Sequence, residues 1–334
     1  MGYDGYMIAV SCVMPTYKRV DQTLKTIELL LASDGVQSVF TLELIVSDST
    51  PDDSVKLAVH GAFGDRVRYV RPDHEGISAN KNAGAKASSH PILIFCDSDM
   101  EVEKNTLLET VEYMRLHPAV AMVGGFVMWK GGPNDKMKDR PRSEDRMMRK
   151  GNTAYIEALY SRYVATYRDI FWQVGGYDED VFNMRGEGSD LSIRYWRAGY
   201  PLAFHEGIIV HHVHDVPDAA AVRVNHSEWG IARDFLLLGY KYRMFDTDYK
   251  SFASTVSMNF SPLGMQGSYR MLQGIGRNLD QIAASKMKLD VFRSTDTPVY
   301  EFRFLEIFSN TALFESCINQ AASRFLDIHK HAFG

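Results

Sequence analysis

Two carboxylates spaced i, i+2 close the run Pro91-Ile92-Leu93-Ile94-Phe95-Cys96-Asp97-Ser98-Asp99. Its apolar part is too short for a bilayer and has the length of a fully buried strand, so Asp97 and Asp99 are expected at the carboxyl edge of a parallel sheet. Open α/β sheets bind ligands along that edge. Two hard oxygen donors held there suit Mg2+ or Mn2+, and such an ion would bridge the phosphates of a nucleotide. A second set of acids lies in Arg185-Gly186-Glu187-Gly188-Ser189-Asp190-Leu191, which opens a helical stretch ending at Gly199. Asp190 there reads either as an N-cap or as a group for proton transfer. Four of the eleven histidines (His205, His211, His212 and His214) fall within ten residues. At period 2, His212 and His214 share a face, and neutral imidazole is compatible with Mn2+.

Spacing alone is weak in a chain with 42 acidic residues, since Asp246-Thr247-Asp248 repeats Asp-x-Asp with no strand leading into it. The surrounding elements therefore carry the reading. Short apolar runs at 7–14, 42–46, 67–70 and 91–95 alternate with helical patterns, the clearest at 21–32, where Leu24, Ile27, Leu30 and Leu31 share a face. This is a βαβαβαβ half. Further strands are expected at 120–129, 163–167, 201–205 and 208–214.

The strand ends can then be interpreted. The first strand breaks at Met14-Pro15-Thr16-Tyr17-Lys18-Arg19, where Pro15 ends the ladder and an aromatic and polar pair could meet a base. The second ends in Ser47-Asp48-Ser49-Thr50, which puts Asp48 in the same edge row as Asp97. After the third, Gly76 through Gly84 forms a helix start rich in small residues whose positive end, with Lys81, could face a diphosphate. The paired glycines of Gly175-Gly176-Tyr177-Asp178-Glu179 permit a tight turn against a sugar.

Met14-Pro15-Thr16-Tyr17, Asp48-Ser49, Gly76 through Gly84, Asp97-Ser98-Asp99, Gly175 through Glu179 and Glu187 through Gly199 occur in the order seen in the family 2 glycosyltransferases of the GT-A fold, which the first two-thirds of the chain resembles. The resemblance implies a Rossmann-like, mostly parallel sheet flanked by helices. It implies that Pro15, Thr16, Tyr17, Arg19 and Asp48 hold the nucleoside end of a nucleotide-sugar, that Lys81 stands where the family often has Arg near the phosphates, and that Ser98 and Gly176 line the donor. Asp97 and Asp99 would bind Mn2+ or Mg2+, with His212 or His214 as a further ligand; His214, nearer the strand end, is preferred.

One departure bears on mechanism. Family members usually show Gly-Glu-Asp-x-Asp-Leu where this chain has Gly186-Glu187-Gly188-Ser189-Asp190-Leu191, so Gly188 replaces a carboxylate often assigned as base. An inverting transferase needs a base for the acceptor hydroxyl, and Asp190 is expected to fill that role, with Glu187 binding sugar or acceptor hydroxyls. The alternative is retention, the departing phosphate oxygen taking the proton; retaining polypeptide GalNAc transferases also depart from the double-acid form here.

The 334 residues, 45% of them hydrophobic, allow a substantial core. A net charge of −5 gives no support for a nucleic-acid partner. Cys12, Cys96 and Cys317 are too few and scattered for a disulfide framework, which suits a reducing, cytoplasmic setting. No run approaches the ~20 residues a bilayer helix needs, and no targeting signal stands out. Residues 131–152 carry seven basic and four acidic residues with almost no apolar period, and are expected to form a mobile loop. A catalytic domain over 1–224 and a mostly helical region over 225–334 are expected, the latter offering surfaces for a homodimer, an acceptor or peripheral membrane contact.

The expected function is metal-dependent transfer of a sugar from a nucleotide-sugar, UDP by resemblance, to an acceptor hydroxyl. A dinucleotide or nucleotidyl-transfer enzyme and an inactive scaffold of the same fold are the competing classes. The first should show Gly-x-Gly-x-x-Gly after strand one, where the chain reads Pro15-Thr16-Tyr17-Lys18-Arg19-Val20.

Overall fold

The chain is seen in a computed structural model that describes residues 7–130, 138–139, 147–182, 185–213, 228–244, 246, 269, 273, 276, 279–293 and 306–333. Strands β1 (Ile8–Thr16), β2 (Phe40–Asp48), β3 (Val67–Val70) and β4 (Ile92–Cys96) form the parallel half expected from the sequence, in the order β3-β2-β1-β4. Helices α1 (Val20–Leu31), α2 (Ser54–Phe63) and α3 (Ile77–Ala87) connect them. All five residues of β4 are buried, which is why its sequence runs apolar without alternation. Pro15 sits inside β1, level with Ser47 in the register with β2, rather than at a break in the ladder.

Beyond β4 the sheet continues through β10 (Tyr163–Tyr167), β6 (Met122–Lys130) and β11 (Leu202–Val213), then β9 (Thr153–Ile156) and β8 (Met147–Lys150). Strand β10 is antiparallel to both β4 and β6, so its first residue, Tyr163, lies level with Cys96 at the ligand edge. The two strands expected at 201–205 and 208–214 are one strand with a register shift between Phe204 and Ile209. Gly125 on β6 makes room for it, because a Cβ there would lie 2.0 Å from the Ile208 carbonyl oxygen.

A short strand that periodicity did not announce, β5 (Met100–Val102), pairs antiparallel with β11 and sets His212 opposite Met100. Within 131–152, strand β7 (Lys138–Asp139) pairs with β6 and β8 pairs with β9, so part of the segment expected as a loop belongs to the sheet. Residues 131–137 and 140–146 lie outside the described residues.

Helices α4 (Thr106–Leu116), α5 (Arg168–Gln173) and α6 (Glu187–Arg197) complete the first two-thirds. The C-terminal helices α7 (Glu228–Lys241), α8 (Leu279–Arg293), α9 (Thr311–Arg324) and α10 (Leu326–Phe333) follow. The side chain of Asn310 accepts from Leu313 N at 3.0 Å and caps α9. Leu238, Tyr242, Phe314 and Phe325 join the same buried apolar cluster as the sheet.

Candidate functional site

At the end of β1, Thr16 is buried and its Oγ1 lies 2.8 Å from Thr23 Oγ1 on α1. The chain then turns through Lys18, which has φ +54°, a left-handed conformation unusual for a bulky residue. Its N–H donates to Thr50 Oγ1 at 2.8 Å. Tyr17 is half-buried beside it, with Lys18 Nζ 5.1 Å from its ring centre.

Asp48, expected to accept from a base, is fully buried and already engaged. Its Oδ1 accepts from Thr50 N at 2.8 Å and Thr50 Oγ1 at 2.5 Å, and its Oδ2 accepts from Tyr69 OH at 2.8 Å. Burial pushes the Tyr69 phenol up to about 12, with the Asp48 carboxylate adding to the effect, so the hydroxyl remains a donor. Asp48 therefore braces the wall at the ends of β2 and β3.

Past β4, the short β5 turns Asp99 toward β11. Asp99 Oδ2 meets the Arg19 guanidinium and lies 3.1 Å from His212 Nε2. Burial opposes ionisation of this carboxyl, but the hydrogen bond and charge of His212, together with Arg19, outweigh it and hold Asp99 below the usual carboxylate range. Arg19 is thus a partner of the second carboxylate. His214 lies outside the described residues. Ser98 is buried, with its carbonyl accepting from Thr26 Oγ1 at 2.9 Å, so it supports the turn through its backbone.

Asp97 and Glu187 converge on Lys81. This lysine has no exposed surface; its Nζ donates to the Ser161 carbonyl at 2.8 Å and lies 3.4 Å from Asp97 Oδ1 and 3.7 Å from Glu187 Oε1. Glu187 opens α6, where the helix dipole favours an anion, and accepts from Ser161 Oγ. Burial raises the Asp97 carboxyl; Lys81 opposes this, while the nearby Asp99 charge adds to it. Lys81, the residue expected beside the phosphates, ties together the end of β4, the segment before β10 and the start of α6.

Asp190 does not reach the site as a free base. It is completely buried, accepting from Arg194 Nη2 at 2.6 Å, Arg194 Nε at 2.9 Å and Tyr242 OH at 2.7 Å, with Lys241 Nζ at 2.6 Å. Burial disfavours its charge, but Arg194 and Lys241 prevail and hold the carboxyl down to about 2. A carboxylate so stabilised and so enclosed is a poor proton acceptor. Position 188 offers no substitute: a Cβ there would lie 3.1 Å from the Leu159 carbonyl oxygen and 3.2 Å from Ser161 N.

The glycine turn is held by Asn82, a residue the sequence reading passed over. Its amide donates to the Tyr177 carbonyl at 2.8 Å and accepts from Tyr177 N at 2.9 Å, fixing Gly176 at the end of α5. Lys241 adds a link from α7, 2.9 Å from Asp178 Oδ2. Ser161, Tyr69 and Lys241 were likewise missed, since none stands in a recognisable motif and each acts from a distant part of the chain.

Two carboxylates, an imidazole and a glutamate thus share one sheet edge with Arg19 and Lys81. Asp99 and His212 are near enough to hold one cation together, although no group of three or more His, Cys, Asp or Glu side chains converges among the described residues. Protein ligands this few suit a hard ion that takes its remaining oxygens from substrate phosphates. None of the helices among the described residues is long and apolar enough to cross a membrane.

Residues 11–175 match the family model described as glycosyl transferase family 2. N-acetylgalactosaminyltransferase 4 of Drosophila melanogaster is 27% identical over 178 residues, covering 47% of this chain and 28% of that protein. The chain therefore spans little more than a quarter of that relative's length. Among solved structures, GalNAc-T7 with UDP, GalNAc and Mn2+ superposes with a TM-score of 0.57 at 14% identity, over 89% of this chain and 59% of that one. Mannosyltransferase PcManGT from Pyrobaculum calidifontis, in complex with GDP-Man and Mn2+, superposes with a TM-score of 0.54 at 15% identity, over 98% and 90%.

Proposed function

We propose that this chain, whose residues 11–175 form a family 2-like glycosyltransferase segment within a GT-A fold, transfers a sugar from a nucleotide-sugar to an acceptor hydroxyl. The observation that carries the reading is the row of Asp97, Asp99 and Glu187 along one sheet edge, with Lys81 joining Asp97 to Glu187 and Arg19 paired with Asp99. The nucleoside end lies along β1 and β2, where Tyr17 is half-buried and Asp48 braces the wall. UDP is the nucleotide we assign, as named for the GalNAc-T7 structure.

Asp99 and His212, with Asp97 beside them, would hold Mn2+ or Mg2+; when bound, the ion neutralises charge on the leaving diphosphate. His212 and Arg19 together keep the Asp99 carboxylate ionised, and Arg19 adds a positive charge at the same edge. Lys81, through Ser161 and Glu187, fixes the start of α6 against β4. Glu187 is then the carboxylate placed to orient sugar or acceptor hydroxyls.

The closed surroundings of Asp190 and the crowding at Gly188 favour retention of configuration. In that course the acceptor oxygen bonds to the anomeric carbon on the face the phosphate leaves, the carbon–phosphate oxygen bond breaks, and the hydroxyl proton passes to the departing phosphate oxygen. Asp190 serves as an anchor. The test is a screen of nucleotide-sugars with Mn2+, followed by NMR of the product's anomeric centre. An α-linked product from an α-donor is expected; a β-linked product would overturn retention, and failure to bind or turn over any nucleotide-sugar would overturn the transferase reading itself.

A further inference from the structure

Along the sheet edge the order of strands is β2, β1, β4, β10, β6, β11. The nucleoside residues stand on β1 and β2 and the paired aspartates follow β4, so whatever lies past β4 is on the side of the transferred sugar and its acceptor. Three residues meet there that the mechanism above does not use. Arg162 precedes β10, and its carbonyl accepts from Asp97 N at 2.9 Å, which ties its position to the carboxylate pair. The guanidinium carbon lies 5.2 Å from the Trp129 ring centre and 5.8 Å from that of Tyr160. Trp129, near the end of β6, meets the His212 ring edge-on at 4.8 Å, and His212 bonds to Asp99. The cluster is therefore continuous with the reacting edge.

We infer that Trp129, Tyr160 and Arg162 form the acceptor subsite and that Arg162 selects an acceptor carrying a carboxylate or phosphate near the attacked hydroxyl. This rests on the transferase reading. Aromatic rings against a guanidinium hold its plane, and a planar fork in a fixed plane matches the oxygens of a carboxylate or phosphate in pairs. Tyr160 is 36% exposed, while Arg162 and Trp129 are half-buried, so the rings also present apolar surface to a sugar face.

Calorimetric titration of the full chain, with and without saturating UDP and Mn2+, tests this with glucuronate, glucose 6-phosphate and glucose as probes. The two anionic sugars are expected to bind at least tenfold more tightly than glucose. Arg162→Gln should erase that preference while leaving UDP affinity within twofold, and Arg162→Lys should keep part of it. Intact UDP binding reports that the variants are folded and that the transferase reading stands. Absence of saturable binding by the anionic sugars, or a wild-type protein that does not distinguish them from glucose, would overturn the inference. So would a tenfold loss of UDP affinity in Arg162→Gln, which would assign Arg162 to the donor diphosphate. A chain that binds no UDP while Arg162 still discriminates the anionic sugars would instead count against the transferase reading alone.

Discussion

At the scale of single residues, the site is governed by which carboxylates are enclosed. Asp190 ionises with a carboxyl pKa of about 2 in the fold against 3.8 for the free group, so its contribution to stability is present above about pH 4 and is lost as pH falls toward 2. Asp190→Asn should lower stability by about 3–5 kcal/mol near neutrality, because Lys241 and Arg194 are left without their buried counter-charge. Chemical denaturation across pH 2–6 checks this: the variant should lose the part of the acid dependence that Asp190 supplies. That Asp97 follows a buried strand and Glu187 opens a helix was legible from the sequence, because β4 and α6 carry strong apolar patterns. The burial of Lys81 was not legible, because burial cannot be read from a helix of small residues. Asp190 reads as a base from the sequence because only Arg194, at i+4, is a local partner, while Lys241 and Tyr242 lie some fifty positions away.

At the scale of elements, the first four strands and their helices followed from hydrophobic period alone, and those strands place Asp48 and Asp97 correctly in one row. What periodicity could not give was β5, three residues long, and the continuity of β11, which depends on Gly125 leaving room for the Ile208 carbonyl. Both decide where His212 stands. A second determinant is the end of α7, where Lys241 joins Asp178 in the glycine turn to Asp190 in α6. Lys241→Ala should loosen that corner without disturbing the parallel half. Hydrogen exchange should show lost protection across residues 176–182 and 185–194, with β1 through β4 unchanged; uniform loss in both regions would mean that Lys241 supports the whole core instead.

At the scale of the whole molecule, the C-terminal helices are part of the core that carries the site. Phe314 packs against Tyr155, Phe308 against Trp196, and Phe325 and Phe333 against Tyr167, a buried residue of β10. Removing residues 306–334 should uncover these aromatic rings, each worth several kcal/mol of burial in a core of this kind. The truncated chain is expected to bind a hydrophobic dye and to lose its cooperative melting transition; an unchanged melt would show that these helices are dispensable to the fold.

The tight seat of Gly188 also limits how this protein could change over time. Backbone atoms of Leu159 and Ser161 lie 3.1 and 3.2 Å from where a Cβ at 188 would stand, and the same Ser161 supplies the carbonyl held by Lys81 and the hydroxyl held by Glu187. An acid at that position would press on the segment on which the neighbouring charges depend, and that segment would have to give by a few tenths of an ångström. A change toward the double-acid form at position 188 would therefore be felt at residues 159–161 and, through Ser161, at Lys81 and Glu187.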